Sequence, residues 1–312
     1  MDLQNTVIKT DKEEREHIVS SLLRVGFVGL GAIGYPMASR VIDRYPLRVF
    51  DISKERTQLL IDKGAEEAAD LAALARQSNV VLIMVATPDQ LLDALRGEHG
   101  LLKGAHPGLI IVVMSTVGVN AVEIAAKECL DAGVEIVDAP VSGGVANAKI
   151  GKLTIFIGGS KDNAETIYDL LNVMGTKLVD CGEKAGDGQS MKLVNQLMCS
   201  VNLVGSAECL AFAQSLGLDP QKALAAIKDG AAASFMLSDR GPRMVNPGGE
   251  ITSVIDIFVK DSSLVSDAAD LVNFDVPLLR AAAARFQMAQ SMGLGKADDS
   301  AVFQTYVAED TE

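Results

Sequence analysis

Several residue types that mark specialised proteins are rare or absent in this sequence. Its 312 residues include no tryptophan, three histidines and four cysteines. The cysteines, Cys129, Cys181, Cys199 and Cys209, show no C-x-x-C spacing, so neither a zinc site nor a disulfide framework is expected and no metal ligand is assigned. Scattered cysteines in a chain of this length are typical of a reducing compartment.

Positive charge is scarce as well. Lys and Arg number 28 against 41 Asp and Glu, which gives a formal net charge of −13. An acidic chain lacks the basic surface that binds nucleic acids and anionic membranes, so neither partner is expected. No apolar run approaches the ~20 residues of a membrane helix, and residues 1–24 resemble neither a secretory signal nor a presequence. We therefore expect a cytoplasmic protein with an N-terminal extension over residues 1–24.

The apolar residues that are present follow a regular order. They make up 48% of the chain, enough for a sizeable core in about two domains. Apolar, β-branched runs alternate with segments of helical periodicity, and from residue 186 onward only helical stretches follow. This order predicts a Rossmann-type α/β domain with a doubly wound parallel sheet over residues 25–185, then an all-helical substrate and oligomerisation domain over residues 186–312 that begins with a long helix. The predicted strands lie at residues 25–29, 47–50, 80–85, 109–114, 134–137 and 153–157.

A glycine turn follows the first predicted strand. In VGFVGLGAIGYPM (residues 25–37), Gly29, Gly31 and Gly34 match the spacing G-x-G-x-x-G at the start of a helix. Glycines at these positions allow a tight turn, the approach of a pyrophosphate and close packing of helix on strand, while the helix N-terminus attracts the phosphates. A second strand ends in Asp51, 17 residues after Gly34, where a carboxylate accepts hydrogen bonds from ribose hydroxyls. The pattern predicts dinucleotide binding rather than a chance cluster of glycines.

Asp51 also bears on the choice of dinucleotide. A carboxylate repels the 2′-phosphate of NADP, so we expect NAD as the cofactor and NADP as the less favoured one. Lys54 and Arg56 follow closely and could weaken that preference, although solvated helix positions are the simpler interpretation for both.

The first helix of the second domain carries a single charge along most of its length. Between Asp187 and Glu208 the only charged side chain is that of Lys192. Spacings of 3, 4, 3 and 4 place one polar stripe on this helix, composed of Lys192, Asn195, Cys199, Asn202 and Ser206. Desolvation disfavours an ammonium group, which suits a lysine to acid–base chemistry. A lysine whose head reaches solvent at a helix start is the alternative.

Two further turns follow predicted strands. DAPVSGG (residues 138–144) offers the backbone N–H groups of Ser142, Gly143 and Gly144 to a carboxylate, although an ordinary strand-to-helix connection would look the same. Ser115 and Thr116 follow the preceding strand. The carboxyl ends of parallel strands are where ligands bind in open sheets of this kind, so both turns are candidate site segments.

Five segments together resemble the β-hydroxyacid dehydrogenase family, within the wider 6-phosphogluconate dehydrogenase superfamily. They occur in family order and at family-like separations. The tail GLGKADDSAV (residues 293–302) and VNQL (residues 194–197) look most like the L-threonate dehydrogenase branch, with 3-hydroxyisobutyrate and tartronate semialdehyde enzymes next. The five segments are GFVGLGAIGYPMA (26–38), MSTV (114–117), DAPVSGG (138–144), GDGQSMKLVNQL (186–197) and FVKD (258–261).

The resemblance implies reversible, NAD-linked oxidation of a short 3-hydroxy or 2,3-dihydroxy carboxylate. Lys192 matches the family's catalytic lysine, with Asn195 beside it, and the enzyme is expected to be a homodimer or homotetramer with intertwined helical domains. The implied substrate-binding residues are Ser142, Gly143, Gly144, Asn195 and Gln196. The implied cofactor-binding residues are Gly29, Leu30, Gly31, Ala32, Ile33, Gly34, Asp51, Val85, Ala86, Gln90, Thr116 and Lys260.

Some positions depart from the family pattern. Asn147 stands where a glycine often follows DAPVSGG, and Gln196 where a second asparagine is frequent; both would reshape the substrate pocket. Ser262 and Ser263 replace the usual Leu-x after Lys-Asp, which bears on the Lys260 contact. Three other functions stay open: an NADPH-dependent tartronate semialdehyde, glyoxylate or succinic semialdehyde reductase, an imine reductase, and a non-catalytic NAD-binding scaffold. Asp51 counts against the first, and Lys192 against the other two.

Overall fold

The computed structural model describes residues 23–249 and 251–307, so the predicted N-terminal extension lies almost wholly outside the described residues. The chain divides into two compact units, residues 1–192 and residues 193–312. We call them the nucleotide-binding unit and the helical unit. The composition-based boundary between residues 185 and 186 falls at the start of a long helix that begins in the first unit and ends in the second.

The described residues of the nucleotide-binding unit form a sheet of nine strands at its centre. Its first six strands are all parallel and lie in the order β3-β2-β1-β4-β5-β6, which confirms the predicted doubly wound parallel sheet. Strand order reverses between β1 and β4, so the carboxyl ends of these two strands flank the crevice where such sheets bind ligands. The strands are β1 (Val25–Val28), β2 (Leu47–Phe50), β3 (Glu66–Glu67), β4 (Val80–Ile83), β5 (Ile110–Val113), β6 (Glu135–Asp138), β7 (Val141–Ser142), β8 (Leu153–Gly158) and β9 (Gly175–Gly182).

The far edge of the sheet is mixed, which the sequence did not predict. β8 pairs antiparallel with β6 and β7 and parallel with β9. Only β8 among the last three strands is an apolar run. β9 is a largely exposed or half-buried edge strand with a polar sequence, and β3 and β7 have two residues each, so none of them carries the continuous apolar signal of a buried strand.

Helices cover both faces of the sheet because its central strands are apolar on both sides. Along β4, Val80 and Leu82 join one buried cluster, whereas Val81 and Ile83 join the other. This alternation is what a strand buried on both faces requires. The helices of this unit are α1 (Gly34–Val41), α2 (Lys54–Ile61), α3 (Leu71–Arg76), α4 (Pro88–Leu95), α5 (Val119–Asp131), α6 (Gly144–Lys149) and α7 (Lys161–Met174).

The described part of the helical unit contains helices and only an isolated β-bridge. Its core includes Leu203, Phe258 and Phe286, and the two aromatic ring centroids lie 5.0 Å apart. Its helices are α8 (Asp187–Ser215), which starts in the preceding unit, α9 (Pro220–Ile227), α10 (Phe235–Val245), α11 (Ile255–Leu271), α12 (Pro277–Ala289) and α13 (Gln304–Val307). The all-helical prediction and the long first helix are therefore confirmed.

Among the described residues, α8 is long and apolar enough to cross a bilayer by length and composition alone. Half of its most apolar stretch is buried inside the protein, and a core helix of a soluble protein passes the same test. The length of α8 is thus accounted for by its place in the fold.

Candidate active site

The glycine turn between β1 and α1 is shaped by two kinds of constraint. Gly29 has a φ of +90°, and a Cβ there would lie 2.2 Å from the carbonyl oxygen of Met84. A Cβ at Gly34 would lie 2.0 Å from the Gly29 oxygen, so helix and strand touch at this point. A Cβ at Gly31 would instead meet only Arg56 Nη1, at 4.0 Å. The space beside Gly31 is therefore open, and a pyrophosphate fits there.

The N-terminus of α1 faces that open space. Within the described chain, no side chain caps this helix, and its first turn contains no acidic residue. Unpaired N–H groups and the positive end of the helix dipole favour an anion at such a position. The local structure thus fits the phosphates of a dinucleotide.

Asp51 joins the end of β2 to the glycine turn. Its carboxylate is buried and accepts the backbone N–H of Leu30 at 2.5 Å and that of Ser53 at 2.8 Å. Each carboxylate oxygen has further lone-pair capacity, so the group can also accept from ribose hydroxyls. Asp51 therefore holds the turn in shape and places a negative charge at the edge of the sheet.

The segment after β4 contains three predicted cofactor residues, Val85 and Ala86 in the loop and Gln90 in the first turn of α4. The N–H of Val85 donates to Ser115 Oγ at 2.8 Å, and the N–H of Ala86 donates to Gln90 Oε1 at 2.8 Å. The first bond fixes the loop against the end of β5, and the second fixes it to the first turn of α4. Because β4 is the neighbour of β1, the structure places Val85, Ala86 and Gln90 beside the glycine turn at the point where strand order reverses.

Two buried side chains that sequence analysis gave no role fix the start of α8. Gln189 accepts the N–H groups of Val117 (3.1 Å) and Gly118 (3.2 Å), and it donates to the oxygen of Ser115 at 2.9 Å. The carboxylate of Asp138, at the end of β6, accepts the N–H groups of Gly186 (2.8 Å) and Gln189 (2.6 Å). The first turn of α8 is thereby attached to the ends of β5 and β6, next to Thr116.

Asp138 has no exposed surface. Burial raises the pKa of Asp138 to about 7, and the two backbone N–H donors oppose that shift because they stabilise the carboxylate. The first residue of DAPVSGG thus combines a perturbed carboxylate with a structural role. Its place at the end of a buried strand, directly before a small-residue turn, was the signal in the sequence.

Lys192 lies three residues after Gln189 on α8, slightly less than one helical turn away. Its side chain is buried, with 6% of its surface exposed, and it belongs to the same unit as the glycine turn. The turn of Ser142, Gly143 and Gly144 is in that unit too, where Ser142 pairs with Thr154 of β8. Asn147, the departure from the family pattern, donates its side-chain amide to the Gly143 oxygen at 2.9 Å.

The remaining predicted site residues belong to the helical unit. Asn195 donates to Gln196 Oε1 at 2.9 Å, and the Gln196 amide donates to the carboxylate of Asp261, which is buried in α11. Lys260 Nζ lies 2.9 Å from the other oxygen of Asp261. Ser262, which departs from the family pattern after Lys260 and Asp261, has its Oγ 3.5 Å from Ser200 Oγ.

Arg240 of α10 belongs to a network of ion pairs within the helical unit. Its guanidinium pairs with the buried carboxylate of Asp299, with Nη2 and Oδ2 3.0 Å apart, and also with Asp239. These ion pairs tie α10 to the short helical turn at Asp299–Phe303. The described residues contain no cluster of three or more His, Cys, Asp or Glu side chains that could hold a metal ion.

Comparison with known proteins identifies the same two regions. Residues 24–182 match the family model described as the NAD binding domain of 6-phosphogluconate dehydrogenase. Residues 186–306 match the one described as NAD-binding of NADP-dependent 3-hydroxyisobutyrate dehydrogenase. Together the two matches span nearly all of the described chain.

Whole-chain relatives agree with these matches. The chain is 31% identical to L-threonate dehydrogenase of Cupriavidus necator, covering 90% of this chain and 95% of that protein. It is 32% identical to human mitochondrial 3-hydroxyisobutyrate dehydrogenase, covering 94% and 89%. The crystal structure of 3-hydroxyisobutyrate dehydrogenase from Salmonella typhimurium superposes with a TM-score of 0.83 at 28% identity, covering 91% and 99%. The chain therefore belongs to the 3-hydroxyisobutyrate dehydrogenase family of NAD(P)-binding 3-hydroxyacid dehydrogenases.

Proposed function

We propose that the protein catalyses the reversible, NAD-linked oxidation of a short 3-hydroxy or 2,3-dihydroxy carboxylate to its oxo form. One observation carries the proposal. Lys192 is a buried lysine on a helix whose first turn is attached, through Gln189 and Asp138, to the strand ends of a dinucleotide-binding sheet. Attachment of this kind gives an acid–base group a fixed position relative to the cofactor site.

In the oxidation, the amine of Lys192 takes the proton of the substrate hydroxyl while the hydride leaves the carbon that carries this hydroxyl. When bound, NAD supplies the acceptor for that hydride. The backbone N–H groups of Ser142, Gly143 and Gly144 bind the substrate carboxylate and thereby orient the reacting carbon. In the reverse direction, the Lys192 ammonium returns the proton to the carbonyl oxygen.

The test is a set of initial rates with NAD and NADP on L-threonate, 3-hydroxyisobutyrate and D-glycerate. We expect NAD-dependent turnover of at least one acid, and we expect Lys192→Ala to lower kcat by about 10³-fold while the Kd for NAD changes little. Lys177→Ala, which removes an exposed lysine of the same unit, is the matched control. NAD binding without turnover on any acid would favour a non-catalytic scaffold, and a mutant that retains most of its turnover would exclude Lys192 from the proton transfer.

The preference for NAD rests on Asp51. Its carboxylate lies at the end of β2, where the 2′-phosphate of NADP would meet a negative charge. We expect NAD to be used more efficiently than NADP, and Asp51→Ser to narrow the difference in kcat/KM. If the wild type reduced a semialdehyde or glyoxylate faster with NADPH than with NADH, a semialdehyde or glyoxylate reductase would be favoured instead.

We also propose that the enzyme is a cytoplasmic homodimer or homotetramer. Large apolar side chains are exposed along one face of α8, at Val194, Met198, Phe212 and Leu216, and their spacing keeps them within about 40° of each other around the helix. Gly205 lies on the same face and permits close approach of a second helix. A second copy of this chain is the occupant that we expect. Phe212→Glu should lower the mass measured by sedimentation, whereas Gln214→Glu on another face should not.

A further inference from the structure

A chain of polar contacts crosses from α11 to α8 and ends at Asn195. Lys260 Nζ lies 2.9 Å from Asp261 Oδ1, and the Gln196 amide donates to Asp261 Oδ2. Gln196 Oε1 in turn accepts from Asn195 Nδ2 at 2.9 Å. Asp261 and Gln196 are buried, whereas Asn195 is only half-buried and can meet a ligand.

The chemistry at one end sets the direction of every bond in this chain. An ammonium group only donates, and a carboxylate paired with it only accepts. Gln196 must therefore turn its NH₂ group towards Asp261, which leaves its oxygen on the side of Asn195. Asn195 must turn its own NH₂ group towards that oxygen, and the same nitrogen lies 3.4 Å from Cys199 Sγ. Both hydrogens of the Asn195 amide thus have acceptors within the helical unit.

The atom that Asn195 can offer to a substrate is consequently its carbonyl oxygen, which accepts hydrogen bonds and repels a carboxylate. The hydroxyl that is oxidised cannot be the donor to this oxygen if it gives its proton to Lys192. We propose that Asp261 and Gln196 are positioning residues that hold the Asn195 oxygen ready to accept from a second hydroxyl group of the substrate, so that the enzyme favours 2,3-dihydroxy acids over acids with one hydroxyl. This inference rests on the proposed function and extends it to the substrate class.

The matched pair of substrates is D-glycerate and 3-hydroxypropionate, which differ only in the hydroxyl at C2. We expect the wild type to favour D-glycerate in kcat/KM by at least tenfold. Gln196→Met keeps the volume but neither donates nor accepts strongly, and it should lower kcat/KM for D-glycerate about ten times more than kcat/KM for 3-hydroxypropionate. Gln214→Met, an exposed glutamine on the same helix, should change neither value.

A second variant keeps the test independent of folding. In Gln196→Glu, the introduced carboxyl group is charged at neutral pH, repels Asp261 and cannot donate to it, so the preference for D-glycerate should be lost. On acidification the introduced carboxyl group and Asp261 take up one proton between them, because two carboxylates this close resist being ionised together, and the preference should return as the pH falls. The charged groups near position 196 are Asp261, Lys260 through Asp261, and Lys192, which lies four residues earlier on α8. The preference is a ratio of two substrates, so an effect on Lys192 that is common to both cancels.

The outcomes separate the two proposals. If the wild type oxidises no hydroxy acid, the proposed function is wrong. The wild type could oxidise both substrates without a preference for D-glycerate, or Gln196→Met could lower both kcat/KM values equally. In either case the proposed activity is retained, and the positioning role of Gln196 and Asp261 is wrong. A preference in Gln196→Glu that does not change with pH would overturn the direction assigned to the contacts.

Discussion

The two parts of α8 are anchored in different ways, each by a buried aspartate. At its start, Asp138 receives backbone N–H groups, and Gln189 is bonded to the backbone of the loop after β5. Further along, Asp261 receives side chains, the Gln196 amide and the Lys260 ammonium. Lys192 lies between the two anchors in the sequence.

The two sets of contacts differ in how easily an amino-acid substitution on α8 can change them. The two bonds to Asp138 use the backbone N–H groups of residues 186 and 189, so at the start of α8 it is the side chains of Asp138 and Gln189 that hold the helix in place. Side-chain partners in the later part change with single substitutions, and Gln196 is itself a departure from the common family residue. Under the proposed function, the position of Lys192 is thus supported by bonds to backbone groups, and the substrate preference by bonds between side chains.

Gln189→Leu should have the largest effect on stability. It leaves the N–H groups of Val117 and Gly118 and the oxygen of Ser115 without their buried partner. We expect the free energy of unfolding to fall by about 3 kcal/mol, as measured by urea denaturation. Gln214→Leu, at an exposed position, should change it by less than about 0.5 kcal/mol, and an equal loss in both variants would contradict the role of Gln189.

Asp138→Asn should have the second-largest effect and lower the free energy of unfolding by about 2 kcal/mol at pH 7. An amide cannot accept two backbone N–H groups through both of its polar atoms, so Gly186 or Gln189 loses its acceptor. Asp261→Asn should cost about half as much, because Lys260 is partly exposed and water can replace its partner. If Asp261→Asn proved the more damaging of the two, the ranking of the anchors would be reversed.

Asp138 should also give stability a distinctive pH dependence. Its pKa in the folded protein, about 7, is above the ordinary value of 3.8, so the folded state holds a proton that the unfolded state has lost between these values. The contribution of this group to stability therefore falls as pH rises from about 4 to about 7. The free energy of unfolding of the wild type, measured at several pH values, should fall more steeply across this window than that of Asp138→Asn. Parallel curves would contradict the raised pKa.

Ser200→Ala should have the smallest effect. The hydroxyl of Ser200 lies 3.5 Å from that of Ser262, which is a weak contact compared with the bonds around Gln189. A change of less than about 1 kcal/mol in the free energy of unfolding is expected. A larger loss would show that the later part of α8 is held more firmly than its distances indicate.

Sequence patterns predicted the fold because they are local. The buried strands are continuous apolar runs, and Lys192 is the only charged side chain between Asp187 and Glu208 on a long apolar helix. The anchors could not be found in this way, because they join residues 48, 65 and 74 positions apart: Asp138 with Gly186, Gln196 with Asp261, and Gln189 with Ser115. The edge strand β9 was missed because an exposed strand needs few apolar residues.

The boundary that composition suggests, after residue 185, differs from the boundary of the compact unit, which lies within α8 after Lys192. A fragment that ended at residue 185, at the change from mixed to helical texture, would lack Gln189 and the N–H groups that Asp138 accepts. The loop after β5 and the end of β6 would then expose polar groups to a core that no longer satisfies them. The nucleotide-binding unit therefore includes the first turn of α8, and a boundary drawn where the sequence changes character would separate Asp138 and Ser115 from their partners.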